Sequence, residues 1–189
     1  MSGSRSSEPD GELVLGIDIG TTTSKAAVFA LSDTAVPLSV YREPSRTSSP
    51  RAGWSEADAD EVVATAFRCA RAAVSQVDAG RIAVVGLTGT ACGAWLIDEG
   101  LRPVRPAILW NDGRAAGIVG RWSQDGRMDE VFDRSGNICF PGYTLPVLAW
   151  LAEHEPDVLE RSHRLLRCKD YVRLALTGEI TAEQTDASY

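Results

Sequence analysis

Apolar and polar positions follow two different periods along this chain. Leu13-Val14-Leu15-Gly16-Ile17-Asp18 is an apolar run that ends on a lone carboxylate, and Ala26-Ala27-Val28-Phe29-Ala30-Leu31 is a second run just beyond it. Short apolar runs bounded by turn residues predict strands, here Leu13–Asp18 and Lys25–Leu31, joined as a β-hairpin with Gly20 and three threonines at its tip. Leu38–Glu43 predicts a third strand. Then the period changes. Val62, Val63, Ala66, Phe67, Ala70, Val74 and Val77 recur at three- and four-residue spacing, which predicts a helix; Asp58 and Asp60 suit its N-terminal end, and Gly80 is expected to stop it. Ile82-Ala83-Val84-Val85-Gly86-Leu87 is apolar without alternation, the pattern of a central strand buried on both faces. Further on, strands are predicted at Ala94–Asp98 and Pro106–Trp110, and helices near Arg114–Ser123, Met128–Asp133, Thr144–Glu155 and Lys169–Leu176.

The resulting β-β-β-α-β-α order predicts one α/β unit and is shared by ribonuclease-H-like domains of the actin and hexokinase type. Residues 1–12 are polar, lack an apolar core of the kind a signal peptide carries, and read as a disordered tail. No apolar segment reaches the length of a membrane span, so a soluble, cytoplasmic protein is expected. A hydrophobic fraction of 44 % supports a sizeable core, and a net charge of −7 argues against nucleic-acid partners. The four cysteines, Cys69, Cys92, Cys139 and Cys168, form no CxxC pair, and there are two histidines, which gives neither a zinc site nor a disulfide framework. Reduced thiols are the default, with Cys69 on the apolar face of the helix.

Chemistry concentrates in two places. An Asp at the end of a buried strand can hold a hydrated Mg²⁺, and the Gly-Thr-Thr turn offers N–H groups and hydroxyls to phosphate oxygens. Asp18, Gly20, Thr21, Thr22 and Lys25 together read as a phosphate grip for a nucleotide such as ATP, with Asp18 at the metal. A plain hairpin turn would be served by Asn-Gly or Asp-Gly. The second place is Trp110-Asn111-Asp112-Gly113-Arg114, which offers an aromatic face and paired donors and acceptors, the kit of a sugar site; Arg114 can pair with Asp112, and a helix-capping role for Asn111 or Asp112 stands beside the sugar role. Thr90 and Cys92 follow the fourth strand, where ligands of open α/β sheets gather. No adjacent histidine can serve Cys92 as a base, so it lines the pocket as a small residue. Trp54, before the first long helix, either covers a pocket or packs at the helix entry.

These segments, in this order, resemble the FGGY carbohydrate kinases, most closely their xylulokinase-like branch. The resemblance runs from about residue 13 to the end. It is carried by Gly16-Ile17-Asp18-Ile19-Gly20-Thr21-Thr22, Gly53-Trp54-Ser55-Glu56, Trp110-Asn111-Asp112-Gly113-Arg114, Gly136-Asn137 through Pro141-Gly142-Tyr143, Lys169-Asp170-Tyr171-Val172-Arg173 with Leu176-Thr177-Gly178-Glu179, and Thr185-Asp186-Ala187-Ser188. It implies a two-domain kinase that uses ATP and Mg²⁺ to phosphorylate a small-molecule sugar or polyol. Asp18 would lie near Mg²⁺, Thr21 and Thr22 at the phosphates, and Trp110, Asn111 and Asp112 would face the sugar. A homodimer is left open.

Two departures qualify it. The xylulokinase-like branch usually carries a Met-His pair where this chain has Ala91-Cys92, so a polyol such as erythritol or another pentulose stands beside xylulose. The family's general base lies in a Gly-Asp-x-x-Ala motif beyond the counterpart of Thr185–Ser188, and nothing here matches it. Residues 13–189 are therefore expected to be an N-terminal domain incomplete at its C-terminal end. Such a chain would have no catalytic base of its own, little kinase activity alone, a missing C-terminal domain as partner, and late strands short of neighbours. A non-catalytic sugar-binding remnant is the alternative. An acetate-kinase- or chaperone-like ATPase is disfavoured by the Trp-Asn-Asp-Gly-Arg segment.

Overall fold

The computed structural model describes residues 11–187. Residues 1–10, which hold most of the predicted tail, lie outside that range; the carbonyls of Gly11 and Glu12 already accept hydrogen bonds from Arg81 and Leu31. The hairpin forms as expected: β1 (Leu13–Ile19) and β2 (Thr23–Ala30) pair antiparallel, with Asp18 opposite Lys25. β3 (Ser39–Pro44) adds to β2, and β5 (Ile82–Gly89) runs parallel to β1, which gives the order β3-β2-β1-β5. Between them lie β4 (Glu56–Ala57) and the long helix α1 (Ala59–Val74).

One face of the sheet carries the core. Leu13, Leu15, Ile17 and Ile19 alternate inward with Ala26 and Val28, and α1 lays Val62, Ala66, Cys69 and Ala73 over them. Asp58 caps α1, accepting from the amides of Asp60 and Glu61 at 2.9 and 3.0 Å, and so satisfies two of the helix's orphan donors. The helix ends at Ser75 rather than at Gly80. There the serine hydroxyl bonds back to the Ala72 carbonyl, and Gly80 sits in a short 3₁₀ turn.

The fourth long strand departs from expectation. β5 lies at the edge of the sheet, not at its centre, and Val84 and Val85 are 49 and 48 % exposed. An apolar run marks a strand that needs cover on both sides. It does not show which neighbours supply that cover, and among the described residues none pairs with the outer edge of β5.

The rest of the chain packs at the carboxyl end of β1 and β5, in part on the main core through Trp95, Ile97, Ala107 and Leu109. β6 (Trp95–Ile97), β7 (Ala107–Ile108), α2 (Ala116–Gln124), α3 (Arg127–Ser135) and α4 (Thr144–His154) follow. After them come α5 (Pro156–Arg161), β8 (Arg164–Leu166), α6 (Cys168–Thr177) and the short α7 (Gln184–Ala187). A second core of Ala94, Leu96, Ile108, Val147, Leu151 and Val158 holds α4 and α5 against β6 and β7. α6 returns to the main core, where the Tyr171 hydroxyl donates to Asp60 at 2.8 Å.

Candidate functional site

Gly20 opens the hairpin tip because the chain closes on itself there: a Cβ would sit 2.5 Å from the Thr23 carbonyl. The loop after β3 buttresses the turn. The Ser45 amide and hydroxyl donate to the carbonyls of Thr22 and Gly20 at 3.0 and 2.7 Å, and its hydroxyl also shares a hydrogen bond with Ser24. Ser45 thus takes up two carbonyl oxygens that would otherwise repel an anion. Beneath the turn lies a small cavity of about 20 Å³ lined by Thr21, Ser45, Arg46, Thr47, Glu61 and Thr90.

Strand alternation decides which side of the sheet each charge takes. Ser24 faces α1 and the cavity, whereas Lys25 and Asp18 share the open face and pair at 2.8 Å. Arg46, which the sequence reading did not single out, is the cation on the cavity side, 3.6 Å from Glu61. Asp18 offers Mg²⁺ one carboxylate, and among the described residues no group of three or more His, Cys, Asp or Glu side chains gathers to hold a metal. That donor set fits Mg²⁺, which keeps most of its waters and takes one or two carboxylates with phosphate oxygens.

Trp110 and Asn111 are exposed at the end of β7, while Asp112 and Arg114 turn inward. Asp112 accepts four hydrogen bonds: from the Ser55 amide at 2.6 Å, the Arg114 amide at 2.8 Å, and Nε and Nη2 of Arg114, both at 2.9 Å. Arg114 also donates to Glu56 at 2.6 Å, and Glu56 accepts from Arg105, which in turn pairs with Glu155. The Arg114 guanidinium lies 3.8 Å from the Trp54 ring centroid, so Trp54 packs inside the fold rather than over an open pocket. The pairing of Asp112 with Arg114 read from the sequence is present. The Asp112 carboxylate is committed to it and to the Ser55 amide, while Trp110 and Asn111 face outward.

The two predicted sites meet. The Trp110 indole N–H donates to the Thr21 hydroxyl oxygen at 2.8 Å, a contact between residues far apart in sequence that no local pattern signals. Thr90 joins the same end of the sheet, its amide donating to Ile19 at 3.1 Å. Cys92 takes a left-handed backbone conformation, φ 61°, and its side chain is buried with Cys139 and Tyr143. Burial pushes the thiols of Cys92 and Cys139 up, which keeps Cys92 protonated and supports a packing role. This loop and the loop before α4 are tied by the Gly93 amide on the Gly142 carbonyl and by the Thr144 hydroxyl on the Gly93 carbonyl. Gly142 is packed so closely on the Trp110 carbonyl that any side chain would overlap it. Farther back, Lys169 pairs with Asp186 at 2.7 Å and Asp170 at 3.4 Å.

A hydroxyl-bearing turn and an aromatic strand end thus meet at one end of a β3-β2-β1-β5 sheet, on the ribonuclease-H-like fold that sugar kinases have. Residues 13–189 match the N-terminal domain of the FGGY family of carbohydrate kinases, and the chain belongs to that family. It is 34 % identical to the xylulose kinase of Escherichia coli strain K12 over 176 residues, covering 93 % of this chain and 36 % of that protein. The xylulose kinase of Rhodospirillum rubrum superposes with a TM-score of 0.82 at 26 % identity, over 91 % of this chain and 36 % of that one. A gluconate kinase from Lactobacillus acidophilus shares the fold, with a TM-score of 0.88 at 19 % identity over 94 and 35 % of the two chains. The chain therefore spans about a third of the length of the relatives it matches. No helix among the described residues is long and apolar enough to cross a membrane.

Proposed function

We propose that this chain supplies the phosphate-gripping and acceptor-binding domain of an ATP-dependent carbohydrate kinase acting on a hydroxyl of a small sugar or polyol. The acceptor is a pentulose such as xylulose or a polyol such as erythritol. The observation that carries the reading is the direct bond between Thr21 of the hairpin turn and Trp110 of the Trp-Asn-Asp-Gly-Arg segment. It puts a group suited to phosphate and a group suited to a sugar face within one hydrogen bond of each other. In this reading Gly20, Thr21 and Thr22 receive phosphate oxygens and Asp18 receives Mg²⁺, with Lys25 releasing it on loading. Trp110 and Asn111 face the acceptor, with Thr90 and Cys92 along the floor and Asp112 and Arg114 holding the segment from behind. Bound Mg²⁺ would neutralise phosphate charge, the main demand of phosphoryl transfer.

A hydroxyl nucleophile also needs a base within reach. Asp112 is consumed by four donors and Asp18 pairs with Lys25, so this chain on its own is proposed to bind without transferring phosphate. Isothermal calorimetry of the 189-residue chain against pentuloses and tetritols, with and without Mg·ATP, tests this. Selective sugar binding without ATP hydrolysis is expected. Binding of no sugar at millimolar concentration would remove the acceptor assignment.

A further inference from the structure

We infer that Trp110 orients the Thr21 hydroxyl as a hydrogen-bond donor toward phosphate, so that occupancy of the acceptor platform and of the phosphate turn reinforce each other. The inference rests on the site reading above and adds a coupling to it. An indole N–H can only donate, so in the 2.8 Å contact the Thr21 oxygen must accept. A threonine hydroxyl has one proton and two lone pairs, so with one lone pair engaged the proton and one lone pair are left to offer. Thr21 is partly exposed, and its hydroxyl donates to no acceptor among the described residues. A ligand that takes this proton must be an acceptor, and a phosphate oxygen, with no proton to give the remaining lone pair, meets Thr21 in that way alone.

Donation to an anion makes the hydroxyl oxygen a better acceptor, since successive hydrogen bonds polarise one another. Phosphate at Thr21 would therefore tighten the bond that holds the Trp110 ring. The ring can respond as a unit because its backbone is fixed: Gly142 abuts its carbonyl, and the Ser55 carbonyl takes the amide of the preceding Leu109 at 3.0 Å. The indole is otherwise half exposed, 46 %, which leaves a face for the acceptor. By reciprocity, a sugar that immobilises the ring favours phosphate at Thr21 by the same factor. One hydrogen bond supplies the coupling, so it should amount to about two- to fivefold in affinity.

The test uses proton–nitrogen correlation spectra of the 189-residue chain, whose five tryptophans give five indole signals; that of Trp110 is identified by its loss in Trp110→Phe. Mg²⁺ with pyrophosphate, and separately xylulose, are the probes. In the unsubstituted chain, pyrophosphate should move the amides of Gly20–Thr22 and the Trp110 indole together. It should also tighten xylulose by about two- to fivefold. Thr21→Val, nearly the same shape without the hydroxyl, should shift the free indole signal and abolish both effects, and Thr21→Ser should restore them. The inference fails if Thr21→Val leaves the indole signal in place, or if the turn amides move with pyrophosphate while the indole stays silent. If neither probe moves the turn or the indole, the site reading fails and the coupling falls with it.

Discussion

Replacing Asp112 by alanine separates two roles for this carboxylate, sugar ligand and internal anchor. The side chain is fully buried and accepts from Ser55 and Arg114 through four bonds of 2.6–2.9 Å. Removing it strands two amides, each worth about 1–3 kcal/mol when left unsatisfied, and deprives Arg114 of one of its two counter-charges. Breaking a buried ion pair by deleting one partner costs about 3–5 kcal/mol. These costs overlap, because water entering the new space will satisfy part of each, so the expected net loss is about 4 kcal/mol. With a urea m-value of about 2–3 kcal/mol/M, the midpoint of unfolding should fall by about 1.5–2 M. Asp112→Asn keeps the volume but sets an NH₂ against donors, and should lose nearly as much. Equilibrium unfolding followed by circular dichroism is the assay. An Asp112→Ala chain with a midpoint within about 0.2 M of the original, corresponding to about 0.5 kcal/mol, would refute the anchor. If that chain had also lost sugar binding, the ligand role would stand in its place.

Three further outcomes follow from the same structure. Gly142→Ala forces a methyl into the Trp110 carbonyl and should cost about 1–3 kcal/mol; calorimetric melting checks it, and an unchanged Tm would mean the loop yields freely. Burial lifts the Cys168 thiol to about 12, above its unfolded value of about 8.5. The folded state then holds a proton that the unfolded state releases, so this stability is complete below pH ~8.5 and drains away as pH climbs toward the folded value. Urea midpoints measured from pH 7.5 to 10.5 should fall in the original chain, and less steeply in Cys168→Ala. Finally, β5 leaves an uncharged edge with Val84 and Val85 exposed, a template for pairing with another chain. Light scattering should show self-association that Val84→Lys suppresses, and a monomer at high concentration would contradict it.

Much of this architecture could be read from local pattern, and the reasons are physical. The hairpin announces itself through apolar runs bounded by turn residues, and α1 through a period of about 3.6, because one face lies in the core. α5 and β8 were missed: Pro156–Arg161 and Arg164–Leu166 are too short to show a period. The edge position of β5 was invisible, since an apolar run records the need for cover but not its source. Site residues followed the same rule. Trp110 and Asn111 are exposed, and Thr21 partly so, where a strand end or a turn says they should be. The inward rotation of Asp112 and Arg114, and the sidedness of Lys25 against Arg46, depend on partners brought in from distant segments.

Two of the segments that carry the family resemblance, Gly53-Trp54-Ser55-Glu56 and Trp110-Asn111-Asp112-Gly113-Arg114, are halves of one object. Every residue of Gly53-Trp54-Ser55-Glu56 touches the segment from Leu109 to Arg114. The Gly53 carbonyl accepts from the Gly113 amide at 2.7 Å, and Trp54 covers the Arg114 guanidinium at 3.8 Å. Ser55 bonds Asp112 through its amide and Leu109 through its carbonyl, and Glu56 takes Arg114 at 2.6 Å. Nη1 of Arg114 is buried with no hydrogen-bond acceptor, so a ring face is what can cover it, and this accounts for a tryptophan at position 54. A charged pair alone would be a poor source of stability, but as a knot it fixes the backbone from which Trp110 and Asn111 project. Positioning of that kind is what a kinase acceptor site requires, because a displacement of about an ångström at the acceptor can cost on the order of a hundredfold in rate. The chemistry-bearing appearance of Asp112 and Arg114 thus has a mechanical origin, and in the proposed site the residues that would meet the acceptor are the two that the knot turns outward.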